Sequence, residues 1–234
     1  TAYEIPKRDW SSDVCSSDLR GGFLTFGDLL PLPGPAVAAS RIGDPVSALT
    51  ARRIDLVVRT NRSLRAAAVQ ASGSRVATPS ASGREWGFTL EQARSAAVVI
   101  NPAFVAVERV ERESGVVVHA VSTSRRRAEQ LLADSRTPLA AYSRWFGPAP
   151  YPLLRVIESS LLRYSQEYPS LILIVNGPGT AAADRIYRVR HEIAHQWWYG
   201  LSANHQLEAA WVDEALSEFA ARSEEHTSEL QSRF

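Results

Sequence analysis

His191-Glu192-Ile193-Ala194-His195, with Glu214 eighteen residues later in Trp211-Val212-Asp213-Glu214, is the stretch from which the rest of the chain can be read. Residues four apart share one face of a helix. His191 and His195 can therefore offer two imidazoles to one metal ion. Glu192 lies one step round the helix, beside that ion rather than aimed at it, which is where a general base for a metal-activated water belongs. Glu214, on a second helical segment, adds an anionic third ligand. Two neutral imidazoles and a carboxylate leave a Zn²⁺ with an open position, the arrangement of a catalytic rather than a structural site.

Local signals on either side agree with this placement. Gly177-Pro178-Gly179 is loop, and Thr180 is placed to cap a helix starting near Ala181. That helix is expected to run through His195 to about Tyr199, with Gly200 as its stop. Asn204-His205-Gln206 reads as loop, and a helix of about Glu208 to Ala221 carries Glu214. Further upstream, Leu153 to Glu158 and Leu171 to Val175 read as strands, and Pro148 to Pro152 as a rigid connection. Ser122-Thr123-Ser124 is a helix entry. The helix it opens, from Arg125, meets Pro138, which either kinks it or starts a second one. Its apolar face continues through Tyr142, Trp145 and Phe146. Residues 20–123 read as β: Ile54 to Arg59, Ala66 to Gln70, Trp86 to Leu90, Ala97 to Ile100 and a hairpin of Phe104–Val110 and Val116–Val121 around Arg112-Glu113-Ser114-Gly115. Short strands at roughly 8–12-residue spacing suggest a sandwich.

Other polar and aromatic residues have plainer readings. His119 is an ordinary strand histidine and His205 a loop histidine. Trp197, Trp198 and Trp211 are core packing around the two helices. Glu218, one turn after Glu214, either orients a ligand histidine or sits in solvent.

Composition sets the ends apart. The chain has one Lys, Lys7, one Cys, Cys15, and no Met, as expected of a piece rather than of a whole translated product. Residues 1–19 and 222–234 resemble translated sequencing adapter: one oligonucleotide read in its two orientations encodes Asp9 to Leu19 and Arg222 to Ser232. Both ends are therefore set aside from fold reasoning. In what remains, about Arg20 to Ala221, every cation is Arg, and the charges are dispersed. No basic patch points to nucleic acid. No cysteine remains for a disulfide or a thiolate site, and no apolar run approaches the ~18 residues of a membrane span. The compartment, cytoplasmic or exported, stays open.

HEIAHQWWYG followed by WVDEALSEF resembles the M1 family of zinc metallopeptidases, the aminopeptidase N and leukotriene A4 hydrolase kin. FGPAPYPLLRVIESS and QEYPSLILI resemble that family's approach to its exopeptidase motif. The resemblance implies an α+β multidomain fragment. Residues 20–123 would be the end of an N-terminal antiparallel β-sandwich, and 124–221 the first half of a thermolysin-like zinc catalytic domain. It also implies one Zn²⁺ held by His191, His195 and Glu214, with Glu192 as general base and attack by a zinc-bound water. Glu167 would hold the free α-amine of a peptide substrate, which makes the reaction that of an aminopeptidase. Two rival readings are a zinc endopeptidase, in which Glu167 is structural, and a non-catalytic scaffold. Tyr164-Ser165-Gln166 departs from the small residues usual before that glutamate, which bears on substrate preference, and Ala215 replaces a common Gly. The family's transition-state tyrosine falls beyond residue 221, so the piece alone is expected to be inactive.

Overall fold

The computed structural model describes residues 24–26, 50–60, 63–76, 83–159, 164–177, 179–204 and 206–231. The expected artefact at 1–19 and His205 lie outside them.

The site rests on a five-stranded sheet. Its strands are β7 (Val105–Val110), β8 (Val117–Ser122), β9 (Leu153–Ser159), β10 (Gln166–Tyr168) and β11 (Leu171–Val175), in the order β10-β11-β9-β8-β7. Strands β8, β9 and β11 pair in parallel, and the two edges pair antiparallel. Side chains alternate faces along a strand, and both faces are buried here. Val118, Ala120, Leu154, Val156, Ile172 and Ile174 meet the helices. Val121, Ile157, Leu171 and Leu173 point the other way, against Ala97, Val99 and Phe104. A strand covered on both sides reads as an unbroken apolar run, which is why Leu171–Val175 is LILIV.

Helix α1 (Arg125–Phe146) makes the crossover between β8 and β9, and α2 (Ala182–His195) and α3 (Gln206–Gln231) follow β11. Leu131, Leu139 and Tyr142 of α1 and Val189, Ile193 and Ala194 of α2 close the core above the sheet. Pro138 sits inside α1 as one uninterrupted helix; it removes one helical hydrogen bond, and packing on both sides holds the element together. Thr180 does not cap α2, whose N-cap is Ala181 with no side-chain hydrogen bond. Nor does Gly200 stop it. The helix widens into a π-helical turn over Gln196–Leu201, and the chain reverses after it at Ala203, with φ +50. A Cβ at Gly200 would stand in ordinary contact with the Tyr151 ring, at 3.4 Å.

Two three-stranded antiparallel sheets form the other half. One orders β1 (Leu24–Phe26), β6 (Val98–Ile100) and β3 (Val69–Ala71), and the other orders β2 (Ala51–Arg59), β5 (Glu85–Ala93) and β4 (Ser74–Val76) as β2-β5-β4. Val69, Ala71 and Val98 of the first pack on Trp86 and Phe88 of the second. The expected break at 123/124 is not a break in the sheets, because β7 and β8 belong to the sheet that carries the site. An exposed-edged hairpin looks the same in a sandwich as in a mixed sheet. Here the following crossover helix decides its membership. At the other end α3, kinked at Ala209 (φ −139, ψ 44), stays helical through Ala221, and Glu224 beyond it pairs with Arg190. Among the described residues no helix is long and apolar enough to cross a membrane.

Candidate metal centre and its cleft

Helix α2 places His191 and His195 one turn apart, and their Nε2 atoms face each other at 3.1 Å. Helix α3 brings Glu214 across, with Oε2 at 3.3 Å from His191 Nε2 and Oε1 at 3.8 Å from His195 Nε2. Ligand atoms bound tetrahedrally at zinc–nitrogen distances stand about 3.3 Å apart. The three separations bracket that value, so the donor set fits a tetrahedral ion with one position left open. The apposed imidazoles argue the same way. Two facing ring nitrogens need a proton or a cation between them.

Electrostatics at the cluster follow from burial and charge. Complete burial, with His191 beside it, pushes His195 down to about 3, so it stands as a neutral donor. Burial also pulls on His191, but the hydrogen bond with Glu214 and the charges of Glu192, Glu214 and Glu218 outweigh it and leave it raised. The same bond from His191 holds Glu214 below the usual carboxylate range. Glu218 faces this cluster. Its carboxylate lies 3.6 Å from His191 Nδ1 and accepts the Tyr187 hydroxyl. That hydrogen bond keeps Glu218 below its ordinary value, while burial and Glu218 push Tyr187 up to about 12.

Glu167 enters from the sheet. It sits in β10, buried, with its carboxylate, that of Glu192 and a His195 ring nitrogen all within 4.8 Å of one another. A cleft of about 430 Å³ is lined by Tyr164, Glu167, His191, Glu192, His195 and Glu214, together with Ser165, Tyr187 and Arg188. All five residues singled out in the sequence thus converge on one hollow. Tyr164 and Ser165, where the chain departs from the family's pattern, line it too.

Three supporting residues carry no spacing signal. Arg94, just after β5, donates to the carbonyls of Tyr199 (3.2 Å) and Asn204 (2.5 Å) and lies over the Tyr199 ring at 4.6 Å. It pins the turn between α2 and α3 to the sandwich half. Buried Asp213 accepts the Glu214 N–H at 3.1 Å. Gln196 binds the turn after β10. A buried Arg or Gln next to a motif is the only trace that sequence could offer of these. Trp197 is buried and donates to the Gly147 carbonyl at 3.1 Å. Trp211 is not core: it is 69% exposed, on a face of α3 shared with exposed Phe219.

Among solved structures the chain resembles M1 zinc metallopeptidases. The enzyme from Deinococcus radiodurans is 18% identical, with a TM-score of 0.50, and a point mutant of it bound to a Tyr-Ser-Ala substrate is 17% identical, at 0.51. A mutant two-domain M1 zinc metallopeptidase bound to L-arginine is 18% identical, at 0.54. Each likeness covers 75% of this chain and 40% of the other, so the chain spans well under half of these neighbours. At such identity the likeness establishes the fold, which is that of part of an M1 peptidase. No family model and no curated protein matches the sequence.

Proposed function

We propose that His191, His195 and Glu214 hold one zinc ion, and that the chain is part of an M1-type aminopeptidase that removes N-terminal residues from peptides. The observation that carries this reading is the single cleft lined by those three donors, Glu192 and Glu167. A zinc ion bound there supplies a Lewis acid that acidifies water and polarises a carbonyl. Glu192 accepts a proton from the attacking water and delivers it to the leaving amine. Glu167 pairs with the substrate's α-ammonium. Two buried carboxylates this close concentrate negative charge where a cation can relieve it. Anchoring the amine fixes how far along the peptide the scissile bond lies, which selects exopeptidase over endopeptidase cleavage. The burial of Glu167 inside the cleft lining supports this role over a purely structural one.

Two measurements test the reading. The purified chain, dialysed against limiting zinc, should retain one zinc per chain, and none as His191→Ala. In the protein that carries this chain, a panel of peptides with free and blocked N-termini should show cleavage of the free ones only. Glu167→Gln should abolish that preference. Equal cleavage of blocked peptides by the unaltered protein would place it with the endopeptidases.

A further inference from the structure

The hairpin that carries Glu167 turns through Tyr168-Pro169-Ser170-Leu171. Pro followed by a residue at positive φ is the pattern of a type II turn, whose third position normally asks for Gly or Asn. Ser170 occupies it at φ +64. A side chain there is strained, so the surroundings must hold it. Three contacts do so. Ser170 Oγ donates to the Leu153 carbonyl at 2.7 Å, its carbonyl accepts the Arg155 N–H at 2.9 Å, and its N–H donates to Gln196 Oε1 at 2.8 Å. Gln196 Nε2 in turn donates to the Tyr168 carbonyl at 3.1 Å. The buried Gln196 amide thus spans the turn as a strand's peptide group would. It is the residue immediately after His195, and among the described residues β10 is a three-residue edge strand that pairs with β11 alone.

We infer that Gln196 is a positioning residue that fixes the Glu167 carboxylate relative to His191, His195 and Glu214. Substrate amine recognition is thereby built to a set distance from the metal site. This rests on the amine role proposed for Glu167. Gln196 touches neither substrate nor metal; it acts through the turn.

The test uses the zinc-loaded chain and two probes that reach the metal with the same group: leucine hydroxamate, with a free α-amine, and N-acetyl-leucine hydroxamate. Calorimetry on the wild type should give a preference for the free amine of about tenfold or more, as a charge-assisted pair requires. Gln196→Ala should reduce that preference to about twofold or less, with zinc affinity and acetylated-probe affinity unchanged within about twofold. Gln196→Glu, which keeps the acceptor for Ser170 but opposes the Tyr168 carbonyl with a second oxygen, should show the same selective loss if the alanine variant does not fold. Adding Ser170→Gly, which removes the strain that Gln196 restrains, should return part of the preference. Full preference retained in both Gln196 variants overturns the inference. So does equal loss of both probes and of zinc, which would make Gln196 a support of the helix. A wild type that binds both probes equally is a different failure: it removes the amine role of Glu167, and this inference with it.

Discussion

His191, Glu192 and His195 stand within about one turn of a single helix, while Glu167 stands on a three-residue edge strand whose turn is bridged by a residue distant in the chain. The two corners of the cleft answer to different constraints. At the metal corner the helix repeat alone brings the imidazoles together, and one further helix delivers Glu214. At the anchor corner the two-residue turn into β11 sets the register of Glu167 but leaves a strained turn to be held from elsewhere. Its place depends on the register of β10 with β11 and on Gln196 across the turn. Rigid periodic elements hold a constellation with few supports, whereas a short edge strand needs a clamp.

The sharpest way to break the comparison is at the metal corner. His195→Ala removes a buried donor from the apposed pair. Zinc affinity should fall by about a thousandfold or more, as expected when a three-ligand site loses one nitrogen. Thermal unfolding of the metal-free protein should shift far less. A large loss of fold without zinc would show the corner to be less self-contained than its geometry implies.

Arg94 tests whether the corners are as separate from the sandwich half as they look. Its guanidinium satisfies two carbonyls in the turn between α2 and α3. Arg94→Met should destabilise the chain by about 2–4 kcal/mol in urea titrations, because two charged hydrogen bonds and the guanidinium's contact with the Tyr199 ring are lost. Zinc affinity should weaken alongside stability, since that turn sets where α3 begins. Unchanged zinc affinity in a destabilised variant would confine Arg94 to joining the halves.

Glu218 gives a smaller effect within the metal corner. If its carboxylate orients His191, Glu218→Gln should weaken zinc about 10- to 100-fold, the range for outer partners of ligating histidines. Tyr187→Phe, which removes the hydroxyl that Glu218 accepts, should weaken it less. Variants that bind zinc as tightly as the wild type would leave Glu218 as a surface carboxylate beside the site.

How much of this was legible in the sequence follows the same division. The HEIAH spacing fixes which face of α2 bears the donors, and the alternation or continuity of apolar residues locates most strands and both flanking helices. Membership of the β7–β8 hairpin was not legible, because its pattern suits either sheet; the parallel pairing of Val117–Val121 with Leu153–Ile157, reached through the crossover helix, assigns it. The π-helical turn after His195 was hidden too: Gly200 reads as a stop, yet the helical path continues through it to Leu201. Trp211 reads as core by its size, yet burial depends on what covers a face, which spacing does not encode. Arg94 and Gln196 act through backbone atoms of distant residues, and no motif marks such contacts.

The smallest effect probes the strain itself. At most strand-end positions alanine is at least as stable as glycine, because glycine gives up more backbone freedom on folding. At position 170 the order should reverse. Ser170→Ala and Ser170→Gly both lose the hydroxyl bond to the Leu153 carbonyl, so that cost cancels between them. What remains is a Cβ held at φ +64, against the entropy of glycine. The strained methyl should prove worse, leaving the glycine variant more stable by about 1 kcal/mol. In the Gln196→Ala background the gap should shrink, because without the amide the turn can relax toward negative φ in the alanine variant. A gap that is the same in both backgrounds would mean that β11 and the Arg155 N–H, rather than Gln196, hold the turn, and the contrast between the two corners would then rest on the sheet alone.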